Sequence, residues 1–335
     1  MSLKKIALVT GGYSGESVIS YRTANTIRQQ LDPALFEVHW IDITRAGWFH
    51  SAADETRTAV CKDDFSVTIE GRRLQFDAVF IAMHGTPGED GKLQGYFEML
   101  GIPYTGCDAT TSALTFNKRY ATAVAAAAGI AVARSVLLIK GQPHDAAQLA
   151  ASLQFPLFVK PNNGGSSIGM SKVDQPGAAL QQALEKAFAE DDQVLIEEMV
   201  QGREFTVGVF SVGGVITVLP ITEVKADTDM PFFDFEAKYQ GKSTETTPAA
   251  IDEQMAEKIR AAARQVYRAF NCRGVVRIDF IYNATEQQPY MLELNSIPGQ
   301  SEASIIPQQV RSAGTSLSEF YKMLLEDCLT YTDKQ

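Results

Sequence analysis

Two strand-like segments carry polar side chains at a spacing that could bind a metal ion. Arg277 and Asp279 alternate with apolar residues in the first segment, and Glu293 and Asn295 do so in the second. Because successive side chains of a strand point to opposite faces, each polar pair shares one face of its strand. Carboxylate and amide oxygens without Cys or His are ligands that suit Mg²⁺ or Mn²⁺.

A polar link over residues 283–288 joins the two segments and predicts a β-hairpin. If Tyr282 pairs with Tyr290, Asp279 lies opposite Glu293. Two opposed carboxylates are destabilising, and burying them requires a cation between them. The pattern leaves two interpretations open: a divalent-cation site, or a solvated polar face with a surface Arg–Asp pair. The Pro-Gly turn at 298–299 favours the cation site, because it would present backbone N–H groups beside the ion.

A glycine-rich loop from Asn162 to Gly169 could bind phosphate. Glycines let the backbone approach an anion closely, and Lys160 stands at the entrance of the loop. An ordinary turn is the alternative interpretation. The Walker A spacing and the dinucleotide-binding fingerprint are both missing, which removes the main support for NAD binding.

Three isolated polar residues permit both a functional and a structural interpretation. Lys118 could bind phosphate or lie on the surface, and His84 could contact a ligand or be a satisfied loop histidine. Glu16 could bind a cationic substrate, or it could stabilise the start of a helix by its charge.

Composition excludes several classes of protein. The chain has 335 residues and a formal net charge of −10, which disfavours general nucleic-acid binding. No apolar stretch reaches the roughly 18 residues of a membrane span, and the N-terminus lacks a signal-peptide pattern. We therefore expect a cytoplasmic protein. The cysteines are too widely spaced for a zinc site or a disulfide framework; they are Cys61, Cys107, Cys272 and Cys328.

The elements that must position these residues form two kinds of unit. The N-terminal part alternates strands and helices, which predicts a parallel sheet with ligands at the carboxyl ends of its strands. Its predicted elements are strands at 5–10, 36–43 and 78–82 and helices at 17–31 and 92–100.

The rest of the chain predicts α+β structure. We expect a helix from Thr110 to Ala128, capped by Thr110 or Thr111, and then a small α+β unit over 157–189. Strands at 205–212 and 215–224 flank a Gly-Gly turn, and a helix spans 252–270. The polar segment 225–248 is too long for an ordinary connection and predicts a functional loop.

Together the motifs resemble the D-alanine–D-alanine ligases of the ATP-grasp superfamily. The matching segments cover nearly the whole chain: Gly-Gly-Tyr-Ser-Gly-Glu (11–16), His-Gly-Thr-Pro-Gly-Glu-Asp-Gly (84–91), Asn-Lys (117–118), Val-Lys-Pro (159–161), Gly-Ser-Ser-Ile-Gly-Met (165–170), Glu-Ala-Lys-Tyr (236–239), Arg-Ile-Asp (277–279) and Glu-Leu-Asn (293–295). The resemblance implies a three-domain α/β and α+β architecture. A Rossmann-like parallel-sheet domain would span 1–107, a central ATP-grasp domain 108–197, and a C-terminal ATP-grasp domain 198–335.

The resemblance also implies the reaction. ATP phosphorylates the carboxylate of one D-alanine, and the amine of a second attacks the acyl phosphate, giving the dipeptide used in peptidoglycan. The implied cofactors are ATP and two Mg²⁺ ions, or Mn²⁺. A homodimer is expected, with no membrane or nucleic-acid partner.

Residue roles follow from the same resemblance. Phosphates of ATP would contact Lys118, Lys160, Ser166, Ser167 and Lys238. Adenine and ribose would contact Glu197, Glu198, Met199, Val200 and Glu204. The metal ions would be held by Asp279, Glu293 and Asn295.

The amino-acid substrates have their own implied set. Glu16 would bind the ammonium of the first D-alanine and His84 would orient it, while Ser304 would hold the carboxylate of the second. Arg277 and the N–H of Gly299 would stabilise the oxyanion. A hydrogen-bonded set would join the 225–248 loop to the site; it consists of Glu16, Ser166 and Tyr239.

Several positions depart from the usual pattern of the family: Ser17, the turn 295–300 with Gln300 at its end, Ile305, and the stretch 240–244. The nearest rival function is a D-alanine–D-lactate ligase, but Lys238 and Tyr239 favour the dipeptide product. Another ATP-grasp carboxylate–amine ligase is a further alternative. A non-catalytic nucleotide-binding regulator is disfavoured because Arg277 and all the proposed metal ligands are present.

Overall fold

Three β-sheets organise the protein. The computed structural model describes residues 3–52, 54, 56–142, 152–164, 168–226 and 243–331. Among these residues, the first sheet along the chain has seven strands, the second has four and the third has six. Several predicted site residues lie outside the described residues: Ser166, Ser167, Lys238 and Tyr239. Most of the predicted loop at 225–248 lies outside them as well.

The first sheet contains the predicted parallel core. Strand β1 (Lys4–Gly11) lies between β2 (Phe36–Thr44) and β7 (Ala78–Ile81) and is parallel to both. Four further strands extend the sheet beyond β2 in antiparallel order; they are β3 (Gly47–Ser51), β4 (Arg57–Cys61), β5 (Ser66–Ile69) and β6 (Arg72–Leu74). Sequence patterning missed them because each is only three to five residues long.

Helices cover both faces of this sheet. The chain enters α1 (Ser17–Gln30) after β1 and α2 (Lys92–Leu100) after β7, as predicted. Two C-terminal helices, α7 (Ile305–Ser312) and α8 (Leu317–Leu329), return to the first sheet. In one core cluster Ile6 and Phe80 of the sheet pack with Tyr321 of α8. The C-terminal end of the chain therefore completes the N-terminal core.

The predicted helix from Thr110 to Ala128 is wrong as a single element. It consists of α3 (Ala109–Phe116) and α4 (Lys118–Ala127), separated by Asn117 in an extended conformation. The cap of α3 is Asp108, whose carboxylate accepts from the N–H of Thr111 at 2.7 Å. The side chain of Asn117 caps α4 in the same way. Both helices are therefore capped by Asp or Asn, which stabilise a helix N-terminus better than threonine does.

The second sheet is the predicted small α+β unit. Its antiparallel strands are β8 (Ser135–Ile139), β9 (Leu157–Pro161), β10 (Ser171–Val173) and β11 (Gln193–Glu198), in the order β10-β9-β11-β8. Helix α5 (Ala178–Glu190) packs against it. Strand β8 was not predicted.

The third sheet carries the predicted polar hairpin. Its strands are β12 (Arg203–Val212), β13 (Val215–Val218), β14 (Thr222–Ala226), β15 (Ser243–Thr246), β16 (Val275–Asn283) and β17 (Gln288–Asn295), and α6 (Glu253–Ala269) packs on it together with α4. The predicted strand at 215–224 is two strands, which pair with opposite halves of β12. Pro220 separates them because it lacks the N–H that a ladder needs.

The hairpin register brings Asp279 opposite Glu293, as predicted. The assumed pairing of Tyr282 with Tyr290 is wrong, because Tyr282 faces Pro289. A β-bulge between Asp279 and Phe280 absorbs the one-residue difference. No helix among the described residues is both long and apolar enough to cross a membrane.

Candidate active site

A cavity of about 320 Å³ lies where the first and third sheets meet. One wall comes from α1 and the loop after β7, and the other from β12, β16, β17 and the turn before α7. Most of the predicted substrate and metal residues line it: Glu16, His84, Glu204, Arg277, Asp279, Glu293, Asn295, Gly299 and Ser304.

Asp279 is the buried centre of the polar hairpin, with an exposed fraction of 5%. Arg277 donates to both of its oxygens, at 3.0 Å from Nε and 2.8 Å from Nη2. Thr206 of β12 donates from its hydroxyl at 2.9 Å, and the amide of Asn295 lies at 3.4 Å. The hairpin is therefore not a solvated face, because its central carboxylate is enclosed and fully engaged.

The guanidinium of Arg277 is the cation between the two opposed carboxylates. Its Nη2 lies 2.8 Å from Asp279 and 3.8 Å from Oε1 of Glu293. The described residues contain no group of three or more His, Cys, Asp or Glu side chains that could hold a metal ion. Two carboxylates and the Asn295 amide nevertheless fit Mg²⁺, which commonly takes one or two carboxylates and completes its shell with phosphate oxygens and water.

Lys160 and Glu197 form a buried ion pair on neighbouring strands of the second sheet. Lys160 Nζ lies 2.6 Å from one oxygen of Glu197, and the two side chains are only 12% and 7% exposed. The other carboxylate oxygen, Oε1, is buried without a hydrogen-bond partner among the described residues. An orphaned buried acceptor is costly and marks a place where a ligand donor fits.

The interruption between α3 and α4 positions Lys118 against the glycine-rich loop. Its N–H donates to the carbonyl of Asn162 at 3.0 Å, and its Nζ donates to the carbonyl of Gly164 at 2.6 Å. Lys118 and Gly164 also line a cavity of about 40 Å³ with Glu293 and Asn295. Lys118 thus lies near Glu293 and Asn295 of the polar hairpin.

Glu16 and His84 face the cavity from the first sheet. The Ser14 hydroxyl lies 3.5 Å from Glu16 Oε2, and the His84 ring lies 3.0 Å from the Thr23 hydroxyl. Gly85 between these groups has a φ of +68°, and a Cβ there would lie 2.7 Å from the Glu16 carboxylate. Only glycine therefore permits this close approach of the loop to α1.

The turn before α7 closes the cavity. A Cβ on Gly299 would lie 2.9 Å from the Ser304 hydroxyl, so the turn passes close to the start of the helix. Ser304 occupies the N-cap position, but its hydroxyl contacts Ser301 at 2.7 Å. In the part of the chain described here it caps no backbone N–H, so the first turn of α7 retains donors for an anion.

The segment proposed to contact adenine lies on β11 and just after it, outside the cavity lining. The carboxylate of Glu198 is already paired with Arg134 at 3.3 Å and with the N–H of Gln154 at 2.9 Å. The N–H of Met199 donates to Pro156 at 2.9 Å. These engaged groups leave the Glu197 side chain and the backbone of Val200 as the better candidates for a purine.

Several cavity residues were missed by sequence reasoning. They are Ile19, Arg22, Glu89, Thr206 and Glu245. Ile19 and Arg22 follow Glu16 at intervals of three, so helical spacing from that predicted site residue could have found them. Thr206 and Glu245 lie on other strands of the third sheet, where the sequence pattern gave no indication of a site.

Two protein-family models match this chain, one over its N-terminal part and the other over its C-terminal part. The family model described as "D-ala D-ala ligase N-terminus" matches residues 5–107, and the one described as "D-ala D-ala ligase C-terminus" matches residues 124–326. The D-alanine–D-alanine ligase of Flavobacterium johnsoniae is 43% identical over 324 residues, which cover 97% of this chain and 99% of the relative.

Two solved structures extend the similarity to the fold. VanG D-Ala:D-Ser ligase from Enterococcus faecalis has a TM-score of 0.87 at 31% identity, covering 98% of this chain and 100% of that one. The ligase from Bacillus anthracis, solved in complex with ATP, has a TM-score of 0.79 at 28% identity and covers 99% of both chains.

Proposed function

This chain belongs to the D-alanine–D-alanine ligase family, ATP-dependent enzymes that join two D-alanines for peptidoglycan synthesis, and we propose that the cavity described above is where it does so. The observation that carries the proposal is the arrangement of Arg277 and Glu293 around the buried Asp279, which faces Glu16 and His84 across one cavity. Charges suited to a phosphoryl group and to an amino acid therefore share one space.

The reaction proceeds in two displacements. A carboxylate oxygen of the first D-alanine attacks the γ-phosphorus of ATP, the bond to the β-phosphate oxygen breaks, and ADP leaves. The free amine of the second D-alanine then attacks the acyl carbon. The tetrahedral intermediate collapses with loss of inorganic phosphate, and the amine proton is released.

Lys118 and Lys160 neutralise the ATP phosphates in this proposal. Both ammonium groups already contact oxygen acceptors, Gly164 and Glu197 respectively, and anionic phosphate oxygens accept charge-assisted hydrogen bonds from lysine. The orphaned Oε1 of Glu197 accepts from the amino group of adenine, with Val200 beside it. Glu204, at the edge of the main cavity, contacts the ribose.

We propose that the oxygens of Asp279, Glu293 and Asn295 hold two Mg²⁺ ions, or Mn²⁺, together with the phosphates. When bound, these ions would neutralise the charge of the transferring phosphoryl group. Arg277 neutralises the two carboxylates in the described arrangement. The chain's own contribution is to keep the three oxygen ligands on one face of the hairpin of β16 and β17.

Glu16 binds the ammonium of the first D-alanine, and His84 orients it. Arg277 and the N–H of Gly299 stabilise the oxyanion that forms at the attacked carbon. Donors that are fixed before the reaction reaches this state lower its free energy most. The Ser304 hydroxyl and the backbone N–H groups of Ile305 and Ile306 at the start of α7 bind the carboxylate of the second D-alanine.

The family resemblance alone supports the remaining roles. Ser166 and Ser167 would close over the phosphates, Lys238 would reach the γ-phosphate, and Tyr239 would join Ser166 and Glu16 in one hydrogen-bonded set. We also propose the domain limits 1–107, 108–197 and 198–335, each of which contains one sheet, and a cytoplasmic homodimer. Sedimentation analysis of the purified protein tests the dimer.

Phosphate release from ATP tests the proposed function. We expect release only when Mg²⁺ and D-alanine are both present, with a dipeptide of matching mass as product. Equal release with L-alanine, or none with D-alanine, would contradict the proposal. D-Lactate and D-serine are added as competing second substrates at pH 6 and pH 8, because a depsipeptide or a D-alanyl-D-serine product would shift the assignment within the family.

A further inference from the structure

The side chain of Thr23 links two parts of the site without lining the main cavity. It lies on α1 with no exposed surface. Its single oxygen lies 3.0 Å from Nε2 of His84 and accepts from the N–H of Gln300 at 3.3 Å. The Thr23 hydroxyl therefore bonds both His84, in the loop after β7, and the turn after β17 that contains Gln300.

The contacts of Thr23 and His84 hold the imidazole ring from both of its nitrogens. The hydroxyl of Thr23 has one proton and two acceptor positions, so it can accept from Gln300 and still bond Nε2 of His84. The other ring nitrogen, Nδ1, faces Glu89 Oε1 at 3.9 Å. Glu89 is itself fixed, because its other oxygen accepts from the N–H of Gly85 at 2.7 Å. Thr23 thus helps to fix the orientation of the imidazole.

The second contact fixes the turn that carries Gly299. Gln300 directly follows Gly299, and its buried side chain accepts from the hydroxyl of Tyr321 at 3.3 Å. A cavity of about 20 Å³ lies behind the turn, lined by Thr23, Pro298 and Gln300. Because packing leaves this gap, the two hydrogen bonds to Gln300 add to the packing of Ile297 in holding the turn in place.

We propose that Thr23 is a positioning residue for the ligase reaction. Its hydroxyl keeps His84, which orients the first D-alanine, in register with the Gly299 N–H, which stabilises the oxyanion. This inference rests on the proposed function and adds a residue that touches no substrate. A displacement of the turn by even one ångström would weaken the oxyanion interaction more than the binding of ATP.

Substitution by valine and by serine tests the proposal. Thr23→Val keeps the shape but removes the hydroxyl, whereas Thr23→Ser keeps the hydroxyl. We expect Thr23→Val to lower kcat about tenfold or more, with the KM for ATP changed less than about twofold. Thr23→Ser restores most of kcat. The matched control is Thr26→Val on the same helix, because the Thr26 hydroxyl bonds only the backbone carbonyl of Arg22 among the described residues.

A double-mutant cycle separates positioning from general stability. In a His84→Ala background, Thr23→Val should cost clearly less kcat than it does in the wild type, since the two residues act together. Melting temperatures are measured for all variants, and Thr23→Ala replaces Thr23→Val if the valine variant does not fold. A kcat for Thr23→Val equal to that of Thr26→Val, or full additivity with His84→Ala, would overturn the inference. Wild-type turnover with D-alanine shows separately whether the proposed function stands.

Discussion

The electrostatics of the site depend on one carboxylate, that of Asp279. It is nearly inaccessible, lies opposite Glu293, and accepts from Arg277, Thr206 and Asn295. Strand alternation predicted the opposed carboxylates, because side chains two residues apart share a face. It could not predict that Arg277 bends along its own strand to neutralise both, since that direction depends on side-chain rotamers.

Replacing Asp279 with asparagine tests its role while keeping its shape. We expect Asp279→Asn to lower kcat/KM about a thousandfold or more, because the site loses the charge that holds a divalent ion and balances Arg277. Initial rates of D-alanine-dependent phosphate release measure the loss.

The matched control is Glu223→Gln. Glu223 is also a buried, paired carboxylate of the third sheet, at 3% exposure, but it does not line the cavity. It should lose stability and keep its turnover. Equal loss of turnover in both variants would mean that Asp279 matters only for folding.

At the scale of elements, the break between α3 and α4 is a clear difference between the structure and the prediction from sequence. Residues 110–128 predicted one helix because their propensities are continuous. The break arises from a tertiary contact, since Asn117 forms an isolated β-bridge with Asn163 and its side chain donates to Asn163 Oδ1 at 3.1 Å. A partner 46 residues away cannot be read from local periodicity.

Asn117→Ala should weaken both the helix and the binding of ATP. The side chain of Asn117 accepts from the N–H of Tyr120 at 3.1 Å, and losing such a cap costs about 1 kcal/mol. Because Lys118 follows directly, we expect the KM for ATP to rise more than the KM for D-alanine. Thr122→Ala on the same helix removes only a hydroxyl bound to backbone carbonyls and should leave the KM for ATP unchanged. A normal KM for ATP in Asn117→Ala would refute this coupling.

The pairing of β12 with β14 predicts a pH dependence of stability. The hydrogen bond from Arg203 to Glu223, 2.8 Å long, holds the pKa of Glu223 below its ordinary value. A carboxyl with a lowered folded-state pKa stabilises the fold at pH values above its unfolded pKa, near 4.5, and loses that contribution as the pH falls through the folded value.

Urea unfolding of wild type and Glu223→Gln at several pH values measures this effect. The difference in the free energy of unfolding should be full at neutral pH and shrink as the pH falls below about 4.5. A difference that stayed constant over this range would show that the ion pair does not contribute through its charge.

At the scale of the whole molecule, the sequence predicted parts better than their assembly. Apolar runs located the parallel core of the first sheet, and the predicted register of the polar hairpin was correct where Asp279 faces Glu293. The return of α8 to cover Ile6 and Phe80 was not predictable, because an amphipathic helix does not specify which sheet it covers.

The site itself is an assembly of distant segments, from Glu16 on α1 to Ser304 before α7. Spacing along the chain left Glu16, His84 and Lys118 with two interpretations each. Only the family resemblance joined them in advance. The structure adds residues that no motif contained, such as Arg22 and Thr23.

The most direct test of the account follows the oxygen atoms of the first substrate. D-Alanine labelled with ¹⁸O in its carboxylate is converted with unlabelled ATP and Mg²⁺, and the released phosphate is analysed by mass spectrometry. Transfer of the phosphoryl group to the carboxylate predicts one ¹⁸O atom in each phosphate, with ADP and the dipeptide as the other products. Unlabelled phosphate, or release of AMP and pyrophosphate, would contradict the account.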